Sequence, residues 1–451
     1  MTRKLEWDRC KDGRYAAGML RRLDLRAGAP GHKGALPRPD LGDRGPVEAV
    51  RAIVADVKVR GDVALREYTA RFDKVEIDEI RLSPDEIEAA PSRLDPVLLE
   101  ALTEAARSIE AFHRHRSADV GTYERNGIEV ELLEIPVARA GVYVPGGLAS
   151  YPSSVLMNAI PARVAGVEGI AVCVPPSLDG TVPDKVLAAA SLAGVDEVYR
   201  IGGAQAIAAL AYGTETVKSV DVIVGPGNRF VSLAKLEVRG TVGMPSSFAG
   251  PSEVVVIADE TVPVDHVAID LVVQAEHGPD GLAWLITWSE PVLEAVIEAV
   301  ERFVAASPRR AEIEATLAGG GYAVLVDGPE QAMAVSNEIA PEHLELCCDN
   351  PSGLLGLLTN AGAVFLGPHT PASLGDYIAG PSHTLPTFRS ARYSSALGVE
   401  DFLRRVHVIS ASRAGLDHVA PHVAAIAKSE GLFAHAESVL LRSEPEREKA
   451  P

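Results

Sequence analysis

The sequence predicts an α/β protein with two parallel sheets, and three observations support this fold class. From about residue 138 onward, short continuous apolar runs alternate with helical stretches, a pattern typical of parallel strands covered on both faces. Three of the first four runs end directly in glycine-rich turns. With 451 residues, 47% of them hydrophobic, the chain is long enough for two or three domains.

The N-terminal residues 1–46 are predicted to form an arm or linker. Residues 25–46 are rich in proline and glycine and poor in apolar side chains, so they can bury little surface, and the structured chain is expected to begin after them. Helical spacing of Val50, Ile53 and Val54 then predicts a first amphipathic helix, and residues 97–112 repeat the pattern.

Two groups of strands follow the first helices. The strands of the first predicted sheet are residues 140–144, 169–174, 197–201 and 220–224, and those of the second are residues 253–258, 282–288, 322–326, 343–348 and 363–366. Helices are predicted over residues 265–276 and 291–305. Residues 398–441 are expected to be helical, and the charged tail 443–451 to be disordered.

Composition excludes several classes of partner. The formal net charge of −19, from 43 basic and 62 acidic side chains, would repel nucleic acid and anionic membranes. The four cysteines form no CxxC pair, and they indicate reduced thiols in a cytoplasmic protein. No apolar stretch is long enough to span a bilayer, and the charged opening lacks the apolar segment of a signal peptide.

The glycine turns suggest a nucleotide site. Glycines between a parallel strand and a helix let backbone N–H groups approach a diphosphate. Tyr143, Gln205 and Asn228 lie at or just after these strand ends, where ligands bind in open α/β sheets. The fingerprint GxGxxG is missing, so tight structural turns, with packing or capping roles for the three side chains, are an equally plausible interpretation.

Two pairs of side chains could supply metal and proton chemistry. Gln274 and His277 lie three apart at the end of a predicted helix, so both project from one face. Glu342 and His343 open an apolar strand after Pro341, and a carboxylate beside an imidazole suits proton transfer at neutral pH. A helix-capping histidine and a solvated loop pair are the alternatives.

Four further side chains complete the candidate set. Asp376 lies in a predicted turn of small residues, His383 follows it, and Glu430 and His435 lie close together near the C-terminus. Histidine, aspartate and glutamine ligands suit zinc with an open coordination position. Spacing along the chain does not show whether these side chains converge.

Taken together, these residues resemble the histidinol dehydrogenase family from about residue 47 to residue 435. The stretches that carry the resemblance are GVYVPGG (141–147), YPSSVLMN (151–158), GPGN (225–228), AGPSE (249–253), QAEHG (274–278) and PEHL (341–344). One departure is MPSSF (244–248), because the family commonly has Asp-Met-Pro just ahead of AGPSE; the local loop is therefore expected to differ.

The resemblance implies a zinc-dependent, NAD-linked dehydrogenase that oxidises L-histidinol to L-histidine. It implies an intertwined homodimer of two incomplete Rossmann-like, doubly wound domains with a helical C-terminal extension, and Glu430 and His435 are expected from the partner subunit. The implied domains are residues 47–137 with 238–395 for zinc and catalysis, residues 138–237 for NAD, and residues 396–451 for dimerisation.

The resemblance also assigns roles to the candidate residues. Glu342 and His343 are the implied acid/base pair, His343 taking the hydroxyl proton and Glu342 activating water. The implied zinc ligands are Gln274, His277, Asp376 and His435; the implied substrate contacts are Ser252, Gln274, His277, His343, Asp376, His383, Glu430 and His435; the implied NAD contacts are Tyr143, Gln205 and Asn228.

Two other functions are compatible with such a chain. A relative on the same scaffold could oxidise another primary alcohol, such as a sulfonated diol, but it should lack the contacts of Asp376, His383 and Glu430. A non-catalytic dinucleotide sensor should have lost Glu342 or His343, and both are present.

Overall fold

The computed structural model describes residues 19–26, 36–37, 46–115, 121–146, 150–195, 197–245, 250, 252–276, 278 and 281–443. The strands are β1 Arg21–Asp24, β2 Tyr123–Arg125, β3 Ile128–Pro136, β4 Arg139–Tyr143, β5 Gly169–Cys173, β6 Glu197–Tyr199, β7 Val222–Val224, β8 Glu253–Ala258, β9 Leu282–Thr287, β10 Gly321–Leu325, β11 His343–Cys347, β12 Ala363–Leu366 and β13 Leu403–Ala411. The helices are α1 Val47–Arg60, α2 Asp62–Phe72, α3 Pro84–Ala89, α4 Pro96–His115, α5 Pro152–Ala165, α6 Asp184–Leu192, α7 Gly203–Tyr212, α8 Arg229–Val238, α9 Val264–Ala275, α10 Glu290–Ala306, α11 Arg310–Gly320, α12 Pro329–Ile339, α13 Ala372–Tyr377, α14 Arg413–Ser429 and α15 Phe433–Ser443.

Two parallel sheets form the body of the protein, as the apolar runs predict. The larger sheet has six strands in the order β1-β10-β9-β8-β11-β12, and the smaller has four in the order β6-β5-β4-β7. The central strands β8 and β9 are buried along their whole length, which explains their unbroken apolar sequences. The α/β prediction with two sheets is therefore confirmed.

Helices cover the four-stranded sheet on both faces, and the division into domains differs from the expected one. Val54 of α1 and Leu65 of α2 share a core with α7 and α8 on one face. Ile109 of α4 shares a core with α5 and α6 on the other face. The expectation that residues 47–137 join the six-stranded domain is therefore wrong for these helices, because their apolar sides are buried against the smaller sheet.

The N-terminal segment contributes a strand that the sequence does not reveal. β1 pairs in parallel with β10 at the edge of the larger sheet, from Arg21 opposite Tyr322 to Asp24 opposite Leu325. Leu20 and Leu36 are buried in the cores on opposite faces of this sheet. The expectation that the structured chain begins after residue 46 is wrong here, because a short edge strand needs only a free neighbour and a few apolar contacts.

The C-terminal extension is helical only in part. β13 pairs antiparallel with β3, and β2 lies on the other side of β3. The prediction of helix over residues 398–441 is wrong for β13, whose run of β-branched side chains favours a strand. The helices α14 and α15 then pack on each other around Ala424, Ala427 and Ala436.

Three of the cysteines, Cys173, Cys347 and Cys348, are buried free thiols. Cys10 and the tail 444–451 lie outside the described residues. Within the described ranges, no helix is long and apolar enough to cross a membrane.

Candidate functional site

A cavity of about 510 Å³ opens at the carboxyl edge of the four-stranded sheet. Tyr143 ends β4, Gln205 lies in the first turn of α7 after β6, and Asn228 precedes α8 after β7. All three predicted cofactor residues line this cavity. The carboxyl edge of a parallel sheet is where ligands bind in such folds, so the geometry suits a nucleotide.

Two glycines shape the floor of the cavity. The backbone N–H of Gly203 donates to the Tyr143 hydroxyl at 3.1 Å, which holds the start of α7 against β4. Gly225 has φ +98°, and a side chain there would overlap the Tyr143 carbonyl. A residue with a Cβ cannot occupy this turn without moving β4. Burial raises the pKa of the Tyr143 hydroxyl, so it stays protonated at neutral pH.

The Gln205 and Asn228 amides at the cavity differ in their hydrogen bonds. Gln205 is 1% exposed, and neither atom of its amide has a hydrogen-bond partner within the described part of the chain. Asn228 caps α8, its Oδ1 accepting from the N–H groups of Phe230 and Val231 at 3.0 and 3.1 Å. A buried amide without partners is costly, so Gln205 fits a ligand that hydrogen-bonds it.

The second cluster lies at the amino edge of the six-stranded sheet. Ala340 ends α12 in a left-handed conformation with φ 54°, and Pro341 prevents the helix from continuing. Glu342 and His343 then enter β11, which pairs with β8 and β12 and is buried throughout. The predicted strand edge for this pair is confirmed, and both side chains are buried rather than solvated.

His343 lies between two carboxylates. Its Nδ1 is 3.8 Å from Glu342 Oε2, and its Nε2 is 3.6 Å from Asp376 Oδ1. Burial alone lowers the pKa of His343, but the charges of Glu342 and Asp376 outweigh it and raise the pKa to about 9. A divalent cation on Asp376 would offset the effect of that carboxylate on the imidazole.

Glu253 is a site residue to which the sequence analysis assigned no role. Its backbone N–H donates to Glu342 Oε2 at 3.2 Å, and its side chain is buried. Burial and then the charge of Glu342 raise the pKa of Glu253 to about 8, so it is protonated at neutral pH. Its place beside Ser252 in the AGPSE motif was the signal that could have revealed it.

Asp376 is held by a helix rather than by the predicted turn. The N-terminal N–H of α13, from Ala372, donates to Glu345 Oε1 at 2.9 Å. Glu345 faces Asp270 of α9, and burial together with this neighbouring carboxyl raises its pKa well above the ordinary value. A buried acid on β11 therefore fixes the helix that carries Asp376.

His383 links the two sheets. Its Nδ1 is 2.9 Å from the Asp376 carbonyl, and its Nε2 is 3.3 Å from the Ser154 hydroxyl of α5. α5 follows β4, so Ser154 lies at the carboxyl edge of the smaller sheet. The cavity edge and the imidazole–carboxylate cluster therefore meet at His383, and Ser154 is a contact that the sequence analysis did not single out.

Of the remaining predicted residues, Gln274 and Ser252 belong to the described part of the chain and His277 does not. Gln274 is 3% exposed in the last turn of α9, and its Nε2 has no hydrogen-bond partner among the described residues. Ser252 directly precedes β8, at the same edge as His343. His277, Ala249 and residues 246–248 of the altered loop lie outside the described residues.

Glu430 and His435 lie apart from this cluster within one chain. Glu430 is the C-terminal cap residue of α14, and His435 lies in the first turn of α15. Both side chains are exposed. In the part of the chain that the structure describes, no three histidine, cysteine, aspartate or glutamate side chains are grouped to hold a metal. The described residues of one chain thus supply only Gln274 and Asp376 of the implied zinc set near the site.

A nucleotide-sized cavity at the carboxyl edge of one parallel sheet and an imidazole between two carboxylates at the edge of the other suit an α/β enzyme of the dehydrogenase class. The sequence model of histidinol dehydrogenase matches residues 36–443. The chain therefore belongs to the histidinol dehydrogenase family, a family of zinc-dependent, NAD-linked oxidoreductases.

Curated relatives and a solved structure agree with this assignment. A histidinol dehydrogenase of Synechococcus sp. is 49% identical over 401 residues, 88% of this chain and 92% of the relative. One of Rhizobium meliloti is 48% identical over 396 residues, 87% of this chain and 91% of the relative. The crystal structure of histidinol dehydrogenase from Elizabethkingia anophelis matches with a TM-score of 0.91 at 35% identity, covering 95% of this chain and 99% of that chain.

Proposed function

We propose that this chain oxidises L-histidinol to L-histidine through L-histidinaldehyde, the last step of histidine biosynthesis, using two molecules of NAD. The observation that carries the proposal is the buried row of Glu342, His343 and Asp376, next to the cofactor-sized cavity, in a chain of this family. The comparisons give no support to a different primary alcohol such as a sulfonated diol.

In the first oxidation, His343 removes the proton of the substrate hydroxyl. A hydroxyl must lose its proton as hydride leaves the same carbon, and only a neutral imidazole can take that proton. A pKa of about 9 keeps His343 largely protonated at neutral pH, so the base form requires a higher pH or a cation on Asp376 that offsets this carboxylate. The flanking carboxylates stabilise the imidazolium that forms, as the raised pKa of His343 indicates. NAD bound against Tyr143, Gln205 and Asn228 would accept the hydride.

The second oxidation needs a water molecule to add to the aldehyde. Glu342 lies beside His343, with its Oε2 3.8 Å from Nδ1, and can activate that water as a general base, whereas Asp376 is an implied zinc ligand. Burial and then the charge of Glu342 raise the pKa of Glu253, so the carboxyl beside Glu342 is protonated and adds no second negative charge. Proton removal and water activation are thus divided between adjacent residues of one strand.

Zinc would be held by Gln274, His277 and Asp376 of one subunit together with His435 of the partner subunit. Gln274 would coordinate through its amide oxygen and Asp376 through its carboxylate, and the unpartnered amide nitrogen of buried Gln274 would remain a donor for a polar group of the substrate. Such a set of nitrogen and oxygen donors suits zinc with room for substrate. Bound zinc supplies orientation and polarisation of the substrate amine and imidazole.

The substrate itself would contact both subunits. Ser252, His343 and His383 lie on the described home side of the site, and Glu430 of the partner subunit would complete it. The exposed C-terminal extension supports a shared site, because Ile409, Ile426 and Phe433 leave apolar surface uncovered in the single chain. An intertwined homodimer would cover that surface and bring Glu430 and His435 to the partner's cluster.

The direct test is NADH formation with L-histidinol. We expect two NADH per histidinol consumed, complete loss of turnover after chelation, and recovery on addition of zinc. 2,3-Dihydroxypropane-1-sulfonate, a sulfonated diol, is the matched negative substrate. Full turnover of L-histidinol by metal-free protein would refute the zinc site. Reduction of NAD with the sulfonated diol but not with L-histidinol would refute L-histidinol as the substrate.

The cytoplasm is the proposed location. Its support is the set of buried free thiols, because a reduced state is usual for cysteines there.

A further inference from the structure

Asp73 lies on the wall of the cofactor cavity without a role in the proposed chemistry. It caps the C-terminus of α2, its N–H donating to the Thr69 carbonyl at 2.9 Å, and it lines the cavity together with Phe72. Asp73 and Tyr143 both line the cavity, and burial first and then the charge of Asp73 raise the pKa of the Tyr143 hydroxyl.

The carboxylate of Asp73 is incompletely satisfied. Its Oδ2 is buried and has no hydrogen-bond partner among the described residues. Burial raises the pKa of Asp73 to about 6, and no donor offsets that effect. Other buried acids of this domain have partners: Glu197 accepts from Arg139, and Asp62 accepts from Thr216. A buried acceptor without a donor is costly, so a ligand that supplies hydroxyl groups would relieve the cost.

The charge of the cavity excludes one class of ligand group near Asp73. Asp73 is the charged side chain on the described lining, where no lysine or arginine is found. The neighbouring ammonium of Lys74 donates to the Arg71 carbonyl instead. A phosphate monoester beside Asp73 would therefore meet a like charge on the lining, since the Arg71 guanidinium lies over the ring of Phe72, 5.3 Å from its centroid, and is not part of the described lining.

The topology indicates which end of a dinucleotide reaches Asp73. α2 packs on the face of the four-stranded sheet that α7 and α8 cover, whereas α5, which contacts His383, packs on the opposite face. The reacting end of the cofactor must lie toward His383 and His343. The adenosine end then lies toward Asp73, where Phe230 lines the cavity and is 44% exposed, available to pack on a base. Phe72 lines the cavity as well, and its ring stacks on Tyr68.

We propose that Asp73 determines cofactor specificity by accepting hydrogen bonds from the adenosine ribose hydroxyls of NAD and by repelling a 2′-phosphate. This inference rests on the proposed function only in that a nicotinamide dinucleotide occupies the cavity. A carboxylate that accepts ribose hydroxyls is a general means of preferring NAD to NADP. In this chain the carboxylate would come from the C-terminal end of α2, which precedes the four-stranded sheet in the sequence, and not from a glycine-rich turn.

The test is calorimetric binding of NAD, NADP and 2′-deoxyadenosine NAD to the full chain. Asp73→Asn keeps the size of the side chain and removes its charge. We expect it to weaken NAD binding by about tenfold or more, since hydrogen bonds to charged groups have about that effect, and to narrow the preference for NAD over NADP. The wild type should bind the 2′-deoxy analogue more weakly than NAD, and the variant should bind the two equally.

The matched control is Asp78→Asn, which removes the same charge from an exposed neighbour outside the cavity and should leave all three affinities unchanged. Thermal unfolding checks folding, and Asp73→Ser provides a smaller second variant. Unchanged NAD and NADP affinities in folded Asp73 variants would overturn the proposal. Because binding is measured without histidinol, loss of the proposed substrate would leave this result interpretable.

Discussion

The two sheets present opposite edges to the site. The four-stranded sheet offers its carboxyl edge, where Tyr143, Gln205 and Asn228 line a cavity. The six-stranded sheet offers its amino edge, where His343 begins β11 and Glu342 directly precedes it. The rule that ligands bind beyond the carboxyl ends of parallel strands therefore applies to the first sheet and not to the second.

The difference lies in what each edge supplies. At the carboxyl edge, glycine turns and helix starts present backbone N–H groups and neutral amides, which suit an extended dinucleotide. At the amino edge, helix ends and strand starts present charged side chains, with His343 between two carboxylates. The first edge suits binding and the second suits proton transfer, and three predictions test this division in order of decreasing effect.

The largest expected effect tests whether the partner subunit supplies His435 to the site at the amino edge of the six-stranded sheet. Asp376→Ala and His435→Ala chains should each be inactive, because each site would lack one zinc ligand. When they are unfolded and refolded together, about half the dimers are mixed, so roughly a quarter of all sites should regain activity. Activity of the mixture against each variant refolded alone measures this.

The opposite outcome, no recovery of activity, would place His435 in the site of its own subunit. If His435 belongs to the site of its own subunit, every site in a mixed dimer keeps one lesion. Mixed dimers that are proven by a mass or affinity tag and yet recover no activity would then refute the shared site.

The second prediction separates the two charged residues of the amino edge. Glu342→Gln keeps an acceptor for the Glu253 N–H but removes the base. It should slow oxidation of L-histidinaldehyde at least about tenfold more than the first hydride transfer, because only the second oxidation needs an activated water. Single-turnover rates with alcohol and aldehyde supplied separately measure the two steps, and equal losses would contradict this role of Glu342.

The third and smallest effect concerns a buried charge beneath the carboxyl edge. Lys235 is 1% exposed in α8, its ammonium donates to the Gly225 carbonyl, and burial lowers its pKa to about 8. The unfolded chain keeps the proton up to a higher pH, so the free energy of unfolding should rise by up to roughly 3 kcal/mol between about pH 8 and pH 10.5.

Lys235→Met should remove this rise, while Lys218→Met, which alters an exposed lysine, should keep it. Denaturant unfolding at several pH values measures both variants against the wild type. An unchanged pH dependence in Lys235→Met would show that the ammonium is hydrated in solution.

The sequence predicted every strand of the two parallel sheets except β1 because their apolar runs are continuous, and β8 and β12 match to the residue. It missed β3, although the burial of that strand alternates along its length, because the adjacent Leu132 and Leu133 interrupt the alternation of apolar and charged side chains. It placed the helices before the first sheet in the wrong domain, since periodicity shows which face of a helix is buried but not against what.

The site was predictable in parts. Spacing identified Glu342 and His343, but their buried contact with Asp376 depends on α13 folding back from β12, which no local pattern encodes. Asp73 and Ser154 belong to helices that reach the site only through tertiary packing. The zinc ligand role of His277 remains a prediction, as do those of Gln274, Asp376 and His435.

The segment that carries His383 is attached to both sheets, and this has a consequence for motion. Ser382 donates to the Met157 carbonyl at 2.9 Å and Thr384 donates to Asn158 Oδ1 at 3.1 Å, so residues on both sides of His383 are fastened to α5. If the cleft opens by rotation of one sheet against the other, His383 travels with the cofactor sheet and leaves His343 behind. The hydrogen bond between His383 and the Asp376 carbonyl would then break and re-form on each cycle of opening.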